Sequence, residues 1–283
     1  MTSHFVETNG IRLHYLDFAE SESSATLILL HGLTANAHCF DGLIAAGLPE
    51  HLRVIVPDLR GRGLSAKPET GYTKVEHAAD ILGLMDALDL EQVVLGGHSY
   101  GARLTMFMTA YHPERVQKQV LIDGGIMNPN VIKLILPSFE RLDKVFPSWD
   151  AYITQIRASS YYWNGFWDDA LEAYYRADVE FLSDGTVRPY PPKGAMSEAA
   201  LKAEDVDWEA VRAHAAKSAI FIYTSEGLGP PGTPPVMTDV NAKLTGSSMP
   251  DCQLIKVSGN HMTMLFGEHA HEIVQHITAF VAA

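Results

Sequence analysis

The sequence is short of cysteines, charged residues and long hydrophobic runs, and each shortage excludes a class of protein. Its 283 residues include two cysteines, Cys39 and Cys252, too few for a disulfide-stapled secreted fold, so we expect free thiols. Charged residues make up 19% and hydrophobic residues 47%, which excludes a disordered chain and supplies one large core. No apolar run approaches the roughly 18 residues of a membrane span. Residues 1–17 lack a basic stretch followed by an apolar core, so we predict no signal peptide and a cytoplasmic protein.

Basic residues are also scarce, and the formal net charge is −13. An acidic surface repels phosphate backbones and anionic lipids, so we expect neither nucleic acid nor a membrane as partner. The histidines of the last helix (His269, His271 and His276) have no Asp or Cys cluster beside them, and we predict no metal site. The sequence is compatible with a homo-oligomer but does not determine one.

Short apolar runs alternate with helical patterns along the chain. Asn9-Gly10 separates two strand patterns and predicts a hairpin, since both residues tolerate positive φ. Further buried strands are predicted at 26–30, 54–56, 93–96, 119–122, 219–223 and 254–257. Helices are predicted at 75–88, 102–111 and 268–281. This alternation predicts an α/β fold: a mostly parallel sheet of about eight strands with helices on both faces.

Residues 127–217 interrupt this alternation. The segment is aromatic, has no run typical of a buried strand, and includes helical patterns at 134–146, 149–160 and 171–181. We predict a mainly helical cap at 127–217, inserted into a core made of residues 1–126 and 218–283. Ordinary helices that cover the sheet are the alternative.

The motif Gly97-His98-Ser99-Tyr100-Gly101 fits G-x-S-x-G, with an apolar strand before it and a helix after it. That strand–turn–helix setting is what a nucleophile elbow requires, so we predict Ser99 as the nucleophile. The N–H of Tyr100, at the start of the helix, is a candidate oxyanion donor. The alternative is a glycine-rich turn whose serine caps the helix.

Two loops supply the other candidate groups. Leu33 follows His31-Gly32 after an apolar strand, and we assign its N–H as the second oxyanion donor. His261 lies in the loop between the last strand and the last helix, where this chain order places the general base. A solvated loop histidine is the alternative for His261. His31 is predicted to be structural, and His98 is predicted to pack beneath the elbow.

Taken together, these motifs resemble the α/β-hydrolase superfamily over almost the whole chain outside the predicted insertion. The residues that carry the resemblance are His31-Gly32, Pro57-Asp58-Leu59-Arg60-Gly61-Arg62-Gly63-Leu64-Ser65, the Ser99 motif and Gly259-Asn260-His261. The resemblance implies the α/β-hydrolase fold and structural roles for Asp58 and Arg60. It is specific for the fold and weak for the substrate.

The acid of the triad is where this sequence departs from the family pattern. Most members carry it in Gly-x-x-Asp after the strand at 219–223, whereas this chain reads Thr224-Ser225-Glu226-Gly227. A second family arrangement, found in haloalkane dehalogenases and some lactone hydrolases, places the acid after the preceding strand, where this chain has Asp123. Many relatives have an unused aspartate there. We favour Asp123, with Glu226 as the alternative and Asp239 a more distant one.

A serine nucleophile implies an acyl-enzyme, and it excludes the dehalogenase and epoxide-hydrolase branches, which use an aspartate nucleophile. Ala102 follows Gly101, whereas perhydrolases and C–C hydrolases often show two glycines there. We therefore predict hydrolysis of a small-molecule carboxylic ester or lactone without a cofactor. A C–C hydrolase, an amidase, or a receptor with slow turnover, as in some plant hormone receptors of this fold, are the alternatives.

The aromatic residues of the predicted cap are candidates for the substrate pocket. They lie close together in sequence: Tyr161, Tyr162, Trp163, Phe166 and Trp167. They could surround an aromatic or alicyclic acyl group. The equally weighted alternative is that they form the core of the cap itself.

Overall fold

The computed structural model describes residues 1–19, 25–128 and 130–283. The chain begins with a hairpin in which Asn9 and Gly10 have φ values of 46° and 73°. Ten strands lie in the described residues: β1 (Thr2–Thr8), β2 (Ile11–Phe18), β3 (Thr26–Leu30), β4 (Arg53–Pro57), β5 (Val93–His98), β6 (Val116–Ile122), β7 (Val179–Phe181), β8 (Val187–Pro189), β9 (Ala219–Tyr223) and β10 (Cys252–Lys256).

Eight of these described strands form one sheet, in the order β1-β2-β4-β3-β5-β6-β9-β10. Pairing is antiparallel between β1 and β2 and between β2 and β4, and parallel across the rest of the sheet. The predicted fold class is therefore confirmed, down to the number of strands. Because the central strands are parallel, their carboxyl ends meet at one edge of the sheet.

Ten α-helices lie in the described residues. They are α1 (Asp41–Ala45), α2 (Lys74–Ala87), α3 (Tyr100–Tyr111), α4 (Val131–Glu140), α5 (Trp149–Arg157), α6 (Asp169–Arg176), α7 (Lys193–Lys202), α8 (Trp208–His214), α9 (Asp239–Ser247) and α10 (Gly267–Ala282). Helix α2 begins at a capping box, in which the Glu76 side chain accepts from the Thr73 N–H at 3.1 Å. Helix α3 ends before Pro113, which lacks the N–H needed to continue it.

The core forms two layers, one on each face of the sheet. In β3, Leu27 and Leu29 face the layer that contains α1, α10 and the aromatic side chains of α5 and α6. Ile28 and Leu30 face the layer that contains α2, α3, α7 and α8. This alternation follows from the period of two in a strand, and burial on both faces explains the continuous apolar run of β3.

The segment between β6 and β9 is not helical throughout. The helical pattern predicted at 171–181 is wrong beyond Arg176, because α6 ends there and β7 pairs with β8 as a separate antiparallel ribbon. The turn of this ribbon contains Asp184, whose carboxylate accepts from the Thr186 N–H at 3.0 Å, and Gly185, with φ of 85°. Asp-Gly between alternating apolar residues is a hairpin signal that the helical assignment overlooked.

The helices of this segment lie on both sides of the molecule. Residues of α4 and α5 line the cavity that contains Ser99. In contrast, α8 packs on α3, with the Arg103 guanidinium 4.1 Å from the centre of the Trp208 ring. Glu198 of α7 accepts from the N–H groups of Gly71 and Tyr72, at 3.1 and 3.0 Å. A cap with bounds 127–217 therefore stays a prediction.

Among the described residues, no helix is both long and apolar enough to cross a membrane.

Candidate active site

Ser99 lies on a strained turn between β5 and α3. Its φ and ψ of 56° and −112° are rare for a residue with a side chain. Its N–H donates to the Ile122 carbonyl at 2.9 Å, which ties the turn to the end of β6. A Cβ on Gly97 would overlap the Gly101 carbonyl, and a Cβ on Gly101 would overlap the carbonyl oxygen of Leu30. The glycines of the motif are therefore required by close backbone approach.

Asp123, His261 and Ser99 form a continuous chain of hydrogen bonds. Asp123 follows β6 directly, and its Oδ2 lies 2.6 Å from Nδ1 of His261. Nε2 of His261 lies 3.1 Å from Oγ of Ser99. The Asp123 side chain is fully buried and the His261 side chain is 6% exposed. A carboxylate only accepts, so Nδ1 carries the hydrogen and Nε2 is free to accept from the serine hydroxyl.

The two other candidate acids have different partners. Glu226 is exposed, and its Oε1 accepts from the N–H of Gly259 at 2.9 Å. Asp239 begins α9, pairs with Lys256 at 3.0 Å and accepts from the Tyr223 hydroxyl at 3.0 Å. Within the described residues, neither carboxylate bonds to His261. Asp123 is the one of the three that the structure places against the imidazole.

The two N–H groups predicted as oxyanion donors flank Ser99. Tyr100 is the first residue of α3, and a Cβ built on Gly32, next to Leu33, would lie 3.8 Å from Cβ of Ser99. In the described part of the chain, neither the Leu33 nor the Tyr100 N–H has an acceptor. Their role as oxyanion donors stays a prediction.

His31 orients the peptide group that contains the Leu33 N–H. Its Nδ1 donates to the Gly32 carbonyl at 2.8 Å, and its Nε2 accepts from the Leu59 N–H at 2.9 Å. Burial lowers the pKa of His31 to about 4, so the ring is neutral at pH 7. The neutral form has one donor and one acceptor, which this arrangement requires.

Two buried arginines hold the next two carbonyl groups of the same loop. Nε of Arg62 donates to the Leu33 carbonyl at 2.9 Å. Nη2 of Arg141 donates to the Thr34 carbonyl at 2.8 Å. Arg62 belongs to the loop after β4 and Arg141 follows α4, so the loop is attached to both the core and the segment between β6 and β9.

Asp58 and Arg60 hold other loops. The Asp58 carboxylate pairs with His14 at 2.7 Å and accepts from the Leu64 N–H at 2.9 Å. Arg60 forms a two-point ion pair with Asp80, with both distances 2.6 Å. These bonds agree with the structural roles that the family resemblance implies.

His98, predicted to pack beneath the elbow, contacts the loop that carries His261. Its Nε2 lies 2.9 Å from the His261 carbonyl oxygen. The two ring centres are 4.4 Å apart. Burial and, secondarily, the nearby His261 lower the pKa of His98 well below its usual value. The neutral ring therefore donates to the backbone of His261.

Ser99 and His261 open into a cavity of about 430 Å³. Its walls are mainly apolar and include residues that sequence analysis did not single out: Ile135, Ile156, Tyr174, Tyr175, Leu228, Met262 and Phe266. They come from five separate stretches of the chain, so no local pattern marks them as neighbours. The size and apolar character suit a small organic ligand.

The residues that line this cavity differ from those predicted for the substrate pocket. Tyr161 lines it, but Tyr162, Trp163 and Trp167 do not. Tyr162 and Trp167 pack on Tyr175, with ring centres 6.1 and 5.8 Å away, and the Tyr162 and Tyr175 hydroxyls are hydrogen-bonded at 2.8 Å. Trp163 is 50% exposed and lies at a smaller surface cavity. Tyr162 and Trp167 thus pack against α6 rather than line the cavity.

No group of three or more His, Cys, Asp or Glu side chains in the described residues is arranged to hold a metal ion. The helix α10 histidines are spread over its surface, and His269 bonds to the Ser258 hydroxyl at 2.9 Å.

Comparison with protein-family models matches residues 25–171 to the family described as alpha/beta hydrolase fold, and the chain belongs to this family. A 2-(acetamidomethylene)succinate hydrolase of Mesorhizobium japonicum is 39% identical over 108 residues, which are 38% of each chain. A soluble epoxide hydrolase of Corynebacterium sp. is 34% identical over 133 residues, 47% of this chain and 44% of that protein. The matched stretches thus span less than half of these curated relatives.

A solved structure shares the fold over its full length. The crystal structure of E-2-(acetamidomethylene)succinate hydrolase superposes with a TM-score of 0.83, covering 100% of this chain and 99% of that one at 24% identity. At this identity the likeness establishes the common fold.

Proposed function

We propose that this protein is a serine hydrolase that cleaves a small-molecule carboxylic ester or lactone through an acyl-enzyme. The observation that carries the proposal is the chain Ser99–His261–Asp123, with distances of 3.1 and 2.6 Å, at the wall of a mainly apolar cavity. An activated serine is recognised by a base within hydrogen-bond reach of the nucleophile and by an acid that bonds to the base and orients it.

The proposed reaction has two halves. Nε2 of His261 takes the hydroxyl proton as Oγ of Ser99 attacks the substrate carbonyl carbon, and the resulting oxyanion accepts from the N–H groups of Leu33 and Tyr100. The imidazolium passes its proton to the leaving alkoxide, which departs as the acyl-enzyme forms. Water then repeats the sequence, with His261 as base, and releases the carboxylic acid. Asp123 holds the imidazole and stabilises its cationic form.

Ser99 argues against the activity named for one relative. The epoxide-hydrolase branch of the family uses an aspartate nucleophile, whereas this chain has serine at that position. A carboxylate can open an epoxide to an ester intermediate, whereas the serine here is arranged for acyl transfer. We therefore do not propose epoxide opening despite 34% identity over 133 residues.

Amide hydrolysis is the second candidate. It is favoured by the relative that acts on 2-(acetamidomethylene)succinate, a compound with an acetamido group, and that is 39% identical over 108 residues. The same serine, base and N–H pair would serve, since ester and amide cleavage both pass through a tetrahedral oxyanion. The difference lies in the leaving group, because an amine must be protonated by the imidazolium before it departs.

The first test is steady-state hydrolysis of p-nitrophenyl acetate by the wild type and by Ser99→Ala. We expect sustained turnover that falls by at least about a thousandfold in the variant. A panel of lactones and acetanilides then separates the ester and amide candidates. Equal activity of Ser99→Ala would contradict the proposal, and a single stoichiometric burst from the wild type would point to a receptor-like protein.

A further inference from the structure

The backbone of Gly259, two residues before His261, is held from both sides by residues that follow β9. The Thr224 hydroxyl donates to the Gly259 carbonyl, and the Gly259 N–H donates to Oε1 of Glu226 at 2.9 Å. The Glu226 N–H donates to Oγ1 of Thr224 at 3.1 Å, which leaves the hydroxyl hydrogen to point at Gly259. Both polar groups of this one residue are therefore engaged by the same short segment.

Thr224 also contacts the acid. Its N–H donates to Oδ1 of Asp123 at 3.1 Å, while Oδ2 of the same carboxylate faces His261 at 2.6 Å. Thr224 is 1% exposed, so these bonds do not compete with bulk water. One residue thus connects the loop that carries the acid with the loop that carries the base.

Gly259 needs such support because of its conformation. Its φ is 84°, and a Cβ there would lie 2.9 Å from a ring carbon of His269, so the turn requires glycine. Glycine reaches many other conformations at little cost, and the turn by itself does not hold His261 at one distance from Asp123. The bonds from Thr224 and Glu226 supply that restraint.

We propose that Thr224 and Glu226 are positioning residues for His261, and that the loop after β9 acts by clamping the base rather than by supplying the acid. This inference rests on the proposed function, since it concerns the alignment of the same Ser99–His261–Asp123 chain. It accounts for the unusual Thr224-Ser225-Glu226-Gly227 sequence at the place where most of the family carries the acid. Within the described residues, neither side chain forms a hydrogen bond with Ser99.

The test compares Thr224→Val, which removes the hydroxyl and keeps the shape, with Thr224→Ser, which restores the hydroxyl. We expect kcat/KM of Thr224→Val to fall about tenfold, with KM within about twofold, because one hydrogen bond aligns the base in the transition state. Thr224→Ser should recover most of that loss. Thr109→Val is the matched control, since Thr109 is buried and its hydroxyl donates to the Thr105 carbonyl at 2.9 Å, ten residues along α3 from Ser99.

Glu226 is tested in the same way. Glu226→Ala removes the acceptor for the Gly259 N–H and should lower kcat several-fold, whereas Glu226→Gln keeps an oxygen acceptor and should retain most of the rate. Thermal unfolding of all variants is recorded alongside. A loss of stability alone would not lower kcat while KM stays unchanged, and Thr224→Ser would not restore the rate.

Labelling of Ser99 by a fluorophosphonate probe distinguishes a failure of the clamp from a failure of the proposed serine hydrolase activity. Slower labelling of Thr224→Val than of wild type, recovered in Thr224→Ser, supports the clamp. Equal labelling and turnover of Thr224→Val and wild type would overturn the clamp and leave the serine hydrolase standing. Folded wild type that neither labels nor turns over any ester, lactone or amide of the panel would overturn the proposed function and the clamp with it.

Discussion

Arg141 and Asp178 form a buried two-point ion pair, with Nε–Oδ2 and Nη2–Oδ1 distances of 2.9 and 3.0 Å. Their side chains are 3% and 0% exposed, and Arg141 also donates to the Thr34 carbonyl, in the loop that contains Leu33, at 2.8 Å. The pair therefore links the segment after α4, the end of α6 and the loop that supplies Leu33. Because Arg141 lines the cavity and Asp178 does not, the pair makes the geometry of the site depend on a residue outside the cavity wall.

Arg141→Met should lower the free energy of unfolding by about 3–5 kcal/mol, because it leaves the Asp178 carboxylate buried without its cation. Urea denaturation measures the change. The matched control is Arg157→Met, since the Arg157–Glu172 pair at 2.7 Å is 51% and 39% exposed, and exposed pairs contribute at most about 1 kcal/mol. Equal losses in the two variants would contradict the importance of the buried pair.

Asp123→Asn should lower kcat by about four orders of magnitude, because an amide at this position no longer favours the tautomer with hydrogen on Nδ1. Glu226→Gln should lose little, since Gln still accepts from the Gly259 N–H. Steady-state kinetics on one ester distinguish the two assignments of the acid. The reverse order of effects would make Glu226 the acid and overturn the role given to Asp123.

Acidification should destabilise the protein through His31. Its pKa of about 4 in the folded state lies below the usual 6.5, so between these values the unfolded chain binds a proton that the folded chain does not. Stability is therefore retained above about pH 6.5 and lost as the pH falls toward 4, by about 3 kcal/mol in total. In His31→Gln the slope of the unfolding free energy against pH should decrease by up to about 1.4 kcal/mol per pH unit. Parallel slopes for the two proteins would refute this account.

Gly101→Ala should prevent folding or lower the free energy of unfolding by about several kcal/mol, because the added Cβ would overlap the Leu30 carbonyl oxygen. Gly194→Ala is the control, since nothing lies within 4 Å of a Cβ there, in the first turn of α7. That change should be neutral or stabilising by up to about 1 kcal/mol. Thermal unfolding of the purified variants, or their solubility on expression, provides the comparison. A Gly101→Ala protein as stable as Gly194→Ala would show that the elbow tolerates a side chain.

The local features of the site were predictable from the sequence because their causes are local. An apolar run, two glycines and a following helical pattern are enough to predict the strand, turn and helix around Ser99. The same holds for the hairpin at Asn9-Gly10 and for the predicted strands, whose bounds the structure reproduces to within a few residues. The last of them, β10, is an edge strand with partly exposed side chains rather than a buried strand. The Asp184-Gly185 turn carried an equally local signal and was predictable in principle.

The choice of acid was not local. Asp123, Glu226 and Asp239 all lie near the carboxyl ends of strands, and their sequence surroundings leave the choice among them open. The structure separates them because Asp123, directly after β6, lies beside His261, while the loop after β9 turns Glu226 toward the Gly259 backbone. The direction of a side chain in such a loop depends on the strands and loops packed around it, which the local sequence does not specify.

The sequence by itself determined the α/β fold, the elbow at Ser99 and the loop that carries His261, since these follow from hydrophobic period, chain order and the steric freedom of glycine. Only the tertiary structure decided which carboxylate faces His261 and that Tyr161 lines the cavity while Tyr162 and Trp167 pack on Tyr175. It also decided that Thr224 bonds to both Asp123 and the Gly259 backbone. The physical reason is that these relationships connect residues far apart in the chain. Their distances are set by strand register and helix packing rather than by any neighbouring residue.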